Sequence, residues 1–201
     1  GMPIVYQAYF VFLSNPRLTS RGINTSASFG YTNSLVKIIE DEQPTHMAVV
    51  FDGTKRNRRH DEYGQYKAQR EKAPEEMVDS LDDVHALTQA LRIPEVTYQG
   101  AEADDVIGTI ASKAEKAGFL VYLVTPDKDL AQLVTDRTTL YRLSRTPGSP
   151  PSIYGPNEVR ERWGISEVPQ LIDMLALVGD SVDNIPGIPG VGDKTAQKLL
   201  A

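Results

Sequence analysis

Residues 102–129 read EADDVIGTIASKAEKAGFLVYLVTPDKD. Glu102, Asp104 and Asp105 stand at one end, and Asp127 and Asp129 at the other. Between them Val106, Ile107, Ile110, Ala111 and Ala114 recur at three- and four-residue spacing. That spacing predicts a helix over 102–116 with one buried face, and Gly118 is its stop signal. The run 119–124, FLVYLV, predicts a short strand covered on both faces. Thr125-Pro126 ends it, so Asp127 and Asp129 lie just beyond the strand's carboxyl end, where open α/β sheets carry their sites. The three acidic residues open the helix, where its dipole favours negative charge. Singly, an acidic helix start is equally a capping device, and Asp-Lys-Asp after a strand is more often a solvated turn. Together on one sheet edge they bring five carboxylates toward one place, which points to a cation site.

The totals narrow the choice of cation. The 201 residues allow a sizeable core. Cysteine is absent and there are 3 histidines, so disulfides and thiolate sites are excluded and carboxylates are the plentiful ligands. Oxygen donors suit Mg²⁺ or Mn²⁺ better than zinc. No apolar run is long enough to span a membrane, and no signal peptide is read at the start. The net charge of −6 argues against nucleic acid unless the acid is gathered around cations and the basic residues lie elsewhere.

Outward from the acidic stretch the chain alternates strand and helix, which predicts a mainly parallel sheet flanked by helices. Gly1-Met2 reads as an expression remnant followed by a start codon. Residues 4–13 form a helix or a strand. A helix is expected over 26–41 with Phe29, Leu35, Val36 and Ile39 inward, capped by Asn24 or Thr25. A buried strand follows over 46–51, with Asp52 at its carboxyl end. Residues 75–91 form a helix, 93–98 a short edge strand, and 138–143 a further strand. Residues 144–152, SRTPGSPPS, are a linker. Helices over 156–163, packed through Trp163, and 168–178 complete a small C-terminal part.

Residues 53–73 carry Lys55, Arg56, Arg58, Arg59, Lys67, Arg70 and Lys72, with Tyr63 and Tyr66 interleaved. Cations beside aromatic faces suit single-stranded nucleic acid, which needs charge for phosphates and π surfaces for bases. A solvated loop reads the same in isolation; the position directly after Asp52 favours the functional reading. Asp180 and Asp183, three apart after a helix, form a further acidic pair. In 185–201, IPGIPGVGDKTAQKLLA, Gly187, Gly190 and Gly192 make a turn into a helix from near Asp193. Such a turn offers backbone N–H groups to a phosphate, and it resembles the helix-hairpin-helix binders of DNA backbone. Eight carboxylates packed together without metal would repel one another. A pair of divalent ions removes the problem, activates water and clamps a phosphodiester. Metal-assisted phosphodiester hydrolysis is the reaction these residues point to.

Four segments in order carry a family resemblance: 29–52 (FGYTNSLVKIIEDEQPTHMAVVFD), 102–109 (EADDVIGT), 125–130 (TPDKDL) and 179–200 (GDSVDNIPGIPGVGDKTAQKLL). They resemble the 5′-nuclease domain of bacterial DNA polymerase I, which is related to the flap endonucleases. The resemblance implies a PIN-like, resolvase-like nuclease core over residues 1–153, with a basic arch at about 53–73. It implies a helical, helix-hairpin-helix-type DNA-binding subdomain over 154–201. The implied activity is that of a Mg²⁺-dependent 5′–3′ exonuclease and flap endonuclease with two metals, removing RNA primers and displaced 5′ strands. Asp52, Glu102, Asp104, Asp105, Asp127, Asp129, Asp180 and Asp183 match the metal positions. Lys67 and Arg70 match arch residues at the scissile phosphate. Arg58, Arg59 and Tyr66 of the basic stretch are further DNA-binding candidates, and Gly187, Gly190, Gly192 and Lys194 match the duplex-gripping turn, often with K⁺. The implied partners are DNA with 5′ flaps or nicks, RNA-primer/DNA junctions and a polymerase domain in the same native chain, in a bacterial, nucleoid-associated, cytoplasmic setting.

Three departures accompany the resemblance. The family's first strand and its terminal Asp are expected immediately before Gly1, so the chain reads as lacking both. Gln7 stands where an Arg is usual, and the chain stops inside the helix after the hairpin. The competing expectation is a DNA-binding fragment, inactive for want of that Asp. A ribonuclease of related fold would lack the glycine hairpin. A phosphatase with an Asp-x-Asp nucleophile would need a hydroxyl residue where Ala131 stands.

Overall fold

The computed structural model describes residues 1–53, 57–144, 146 and 149–201. In chain order the first elements are α1 (Met2–Val11), α2 (Ser26–Glu42), β1 (Val49–Val50), α3 (Arg58–Glu62), α4 (Glu75–Asp79), α5 (Leu81–Ala90), β2 (Glu95–Val96), α6 (Ala103–Lys116) and β3 (Val121–Val124). A 3₁₀ turn (Asp129–Leu133) follows, then β4 (Thr138–Arg142), β5 (Ser152–Tyr154), α7 (Pro156–Trp163), α8 (Gln170–Val178), β6 (Gly179–Asp180), β7 (Ile185–Pro186) and α9 (Asp193–Leu200). The chain divides into two compact units. The first comprises 1–53, 72–106 and 143–150, and the second 54–71, 107–142 and 151–201.

In the first unit β1 pairs in parallel with β2, Val49 opposite Glu95 and Val50 opposite Val96. The core holds Val5, Tyr31, Leu35, Met77 and Val84, all fully buried. Tyr31 and Thr88 satisfy each other's buried hydroxyls at 2.8 Å, as a buried polar pair must. The buried stripe of α2 is Ala27, Tyr31, Leu35 and Ile38. Phe29 and Ile39, expected inward, are instead 44% and 37% exposed. The apolar pattern of 26–41 admits two overlapping stripes, and packing selects the one through Tyr31. Residues 75–91 form two helices rather than one, because Ser80 turns its hydroxyl back onto the Met77 carbonyl at 2.7 Å.

In the second unit β3 pairs in parallel with β4, from Val121 opposite Thr138 to Val124 opposite Tyr141. β5 adds antiparallel to β4; it starts at Ser152, the last residue of the segment expected to be linker. The strand β3 is covered on one face only. Leu123 is buried, whereas Tyr122 is 47% and the preceding Leu120 77% exposed. The short apolar run therefore obeys the alternation of a half-covered strand. Ile110, expected inward on α6, is likewise exposed. The core of this unit joins Leu123, Leu130, Ala131 and Leu140 to Val159, Leu171, Met174 and Ala196, with Trp163 packed against it.

Candidate metal and nucleic-acid site

Four of the eight predicted carboxylates fall in each unit. In the first, Asp52 follows β1, and its Oδ1 accepts the Ala103 amide at 2.8 Å. This caps the start of α6, where orphan N–H groups and the helix dipole favour an anion. Asp105 Oδ2 accepts the Glu102 amide at 3.2 Å. Glu102 is buried at 8% exposure, and Asp104 is half-buried. The α-amino group of Gly1 donates to the Val50 carbonyl at 2.5 Å. Burial lowers its pKa to about 5, against the fields of Asp52 and Asp104. The cap comes from Asp52 rather than from the acidic helix start itself, and it holds Asp52 beside that start.

In the second unit Asp127 and Asp129 follow β3 through Thr125-Pro126. Thr125 Oγ1 accepts the Asp127 amide at 3.1 Å, and Asp127 Oδ1 accepts the Asp129 amide at 2.9 Å. These two short-range bonds fix the turn. Asp129 Oδ1 is buried with no hydrogen-bond partner. Burial, followed by the charge of Asp127 and with smaller contributions from Asp180 and Asp183, raises the Asp129 pKa to about 6. Asp180 Oδ1 accepts the Val182 amide at 2.7 Å and the Asp183 amide at 3.3 Å. Its Oδ2 lies 3.9 Å from the Lys128 ammonium.

Asp183 is the hub of the basic segment. Tyr66 donates its hydroxyl to Asp183 Oδ2 at 3.3 Å. The Lys67 ammonium lies 3.7 Å from the same oxygen, and the Arg70 guanidinium 3.3 Å from Oδ1. Arg70 is close enough to pair by charge, although Oδ1 makes no hydrogen bond of acceptable geometry. Backbone bonds hold the two segments together: Lys67 N donates to Asp183 O at 3.0 Å, and Asn184 Nδ2 to Gln65 O at 2.8 Å. Lys67 sits at φ +56, a conformation a non-glycine residue adopts at a cost. That cost is met where it aims Lys67 at Asp183.

The remaining predicted residues are placed as follows. Arg58 forms an exposed 2.6 Å pair with Glu62, a contact of small energetic weight. Arg59 lies in the same short helix, which the sequence reading left as loop. Tyr66 is buried at 6% exposure, so Tyr63, at 36%, is the accessible aromatic. Lys55 and Arg56 lie outside the described residues. Gln7 donates to the carbonyls of Leu143 at 3.3 Å and Ser144 at 3.1 Å, a structural role. Lys128 and the Tyr66 hydroxyl were missed as partners of the acidic residues; the place of Lys128 between two Asp was the available signal.

The glycine segment forms the expected turn. Val191 N donates to Ile188 O at 3.0 Å, Pro189 and Gly190 occupy the centre, and Gly190 takes φ +82. Proline followed by a left-handed residue is the chemistry of a type II turn. A side chain on Gly187 would lie 2.2 Å from the Val178 carbonyl oxygen, so only glycine permits that approach. The helix α9 starts at Asp193 with Gly192 as its N-cap and Lys194 exposed in its first turn.

Among the described residues no group of three or more acidic or histidine side chains is close enough to hold a metal ion by itself. The donor chemistry nevertheless fits a hard cation. The orphaned, buried Asp129 Oδ1 and its raised pKa mark a carboxylate in need of positive charge, and all the candidate donors are oxygens.

Strand–helix units with acidic side chains at the strand ends, followed by a glycine turn into a helix, define the class of nucleases with a resolvase-like core. Residues 1–164 match the family described as 5′-3′ exonuclease, N-terminal resolvase-like domain. Residues 167–201 match that described as 5′-3′ exonuclease, C-terminal SAM fold. The chain belongs to the 5′–3′ exonuclease family. Over its whole length it is 44% identical to DNA polymerase I of Bacillus subtilis and 38% identical to that of Mycobacterium tuberculosis. It spans 22% of the length of each. Among solved structures, T5 5′-exonuclease with bound divalent metal ions (zinc) shares the fold at TM-score 0.82 and 21% identity, covering 99% of this chain and 72% of that one. Flap endonuclease-1 from Methanococcus jannaschii does so at TM-score 0.60 and 22% identity, covering 99% and 68%.

Proposed function

We propose that this chain is a divalent-metal-dependent 5′ nuclease that hydrolyses DNA phosphodiesters at 5′ flaps and nicks and at RNA-primer/DNA junctions. Residues 1–153 act as the nuclease core and 154–201 as the duplex-holding part, with a polymerase domain in the same native chain. The observation that carries the reading is the meeting of Tyr66, Lys67 and Arg70 on Asp183. An ammonium, a guanidinium and a phenol gathered on one acidic residue are a phosphate-binding set held ready by a carboxylate.

The acidic groups Asp52, Glu102, Asp104 and Asp105, and Asp127, Asp129, Asp180 and Asp183, would hold two Mg²⁺ or Mn²⁺ ions. When bound, such ions supply a hydroxide nucleophile at neutral pH and neutralise charge on the phosphate. Lys67 and Arg70 exchange Asp183 for the non-bridging oxygens of the arriving phosphodiester, whose geometry the planar guanidinium matches. Tyr66 keeps Asp183 oriented during that exchange. The Gly187–Gly192 turn offers amides to the duplex backbone, with Lys194 adding charge, and this turn would hold K⁺ as a counter-charge to the phosphates. The presence of DNA and metal ions in a T5 flap endonuclease complex of the same fold supports this assignment.

A second reading, DNA binding without cleavage, is favoured by the spacing of the acidic side chains, none of which forms a ready-made three-ligand cluster among the described residues. Titrating Mn²⁺ against a labelled 5′-flap DNA, with binding followed in parallel, separates the two. Cleavage near the junction that saturates with Mn²⁺ is expected. Tight binding with no product at any Mn²⁺ concentration would favour the second reading.

A further inference from the structure

Beside Asp183, an open pocket of about 440 Å³ is walled by Tyr63, Tyr66, Ile185 and Pro186, with Arg59 and Glu62 completing it. Tyr63 and Ile185 are 36% and 43% exposed, so two broad apolar surfaces are open to a ligand. Tyr66 is fixed: its hydroxyl is on Asp183, and the Lys67 ammonium lies 4.7 Å from its ring centroid. One residue therefore belongs both to the pocket and to the phosphate-binding set. Glu62 pairs with Arg58, and Arg59 also lines the pocket.

We infer that this pocket holds one unpaired nucleobase of the strand being cut, stacked on Tyr63 against Ile185–Pro186, with its phosphate toward Arg59. The inference rests on the nuclease reading and names the substrate subsite. Flat apolar walls that include an aromatic ring accept any base, because every base has a π face. A cation beside the ring satisfies the backbone charge that accompanies the base. The phosphate-directed side chains Lys67 and Arg70 begin one residue beyond Tyr66, so a nucleotide seated here is continuous with the phosphodiester they receive.

The test pairs a protein change with a DNA change. A 5′-flap DNA carries 2-aminopurine, or an abasic tetrahydrofuran residue, at each unpaired position nearest the junction in turn. Parent protein and Tyr63→Phe should quench the 2-aminopurine at one position, and Tyr63→Ala should not. Tyr63→Ala should weaken binding of the intact flap about tenfold and leave binding of the flap abasic at that position unchanged. Equal loss on both DNAs, or none, overturns the subsite. The abasic arm needs no variant: parent protein binding intact and abasic flaps equally at every position also overturns it. A parent that cuts the flap while the two changes act additively refutes the pocket alone. A parent that neither binds nor cuts flap DNA refutes the nuclease reading with it.

Discussion

Replacing Asp129 by asparagine removes a charge that the metal-free fold carries at a disadvantage. Burial first, and the neighbouring Asp127 second, raise its pKa from 3.8 to about 6. A carboxyl group whose folded-state pKa exceeds its unfolded one takes up protons on folding between those values. Stability therefore falls as pH rises from about 4 to about 6, and stays lower above that window. A shift of about two units is worth about 3 kcal/mol at full weight. Partial contact of Asp129 with solvent reduces this to roughly 1–2 kcal/mol. Oδ1 of Asp129 has no hydrogen bond to lose with the charge. In chelator at pH 7.5, Asp129→Asn should melt about 2–8 °C above the parent, and at pH 4 the two should coincide. Millimolar Mg²⁺ or Mn²⁺ should reverse the order at pH 7.5, since ligand binding stabilises only the chain that binds it. A variant no more stable than the parent at pH 7.5, or equally favoured at pH 4, would show that the Asp129 charge does not burden the metal-free fold.

Asp127→Ala should abolish metal-dependent cleavage while flap binding, measured by anisotropy, changes little; an unchanged rate removes Asp127 from the metal site. Lys67→Ala should slow single-turnover cleavage by about 10²–10³-fold with an unaltered melting temperature, and full activity rejects its role at the phosphate. Gly190→Val puts a β-branched side chain at φ +82, which costs about 1–3 kcal/mol of local strain. Duplex affinity should fall and its dependence on salt should flatten; unaltered affinity would reduce the segment to an interhelical turn.

The alternation of apolar and polar residues disclosed most of the architecture, because elements with one clear period have one way to pack. The helices at 103–116, 156–163 and 193–200 and the strand ends before Asp52 and Asp127 were legible for that reason. Where two stripes overlap, as in 26–42, sequence alone does not say whether Tyr31 or Phe29 is inward; the Tyr31–Thr88 hydroxyl pair decides it. β5 was hidden because Ser152–Tyr154 follows a Pro- and Ser-rich run, and its pairing with β4 is a tertiary event. The acidic residues were visible as a set, but their individual duties were not. That Asp52 caps α6 across 51 residues, or that Lys67 and Arg70 close on Asp183, follows from loop geometry that no local period encodes. Tyr66 looked like an open aromatic platform and is buried, because its hydroxyl finds Asp183.

The proposed cleavage of phosphodiesters by divalent metal depends on this chain's carboxylates. The most direct measurement is single-turnover cleavage of a labelled 5′-flap DNA in chelator, followed by addition of excess Mn²⁺. No product is expected before the addition, product cut near the junction after it, and none at either stage with Asp127→Ala. Product formed in chelator, or formed at the parent's rate by Asp127→Ala, would contradict it.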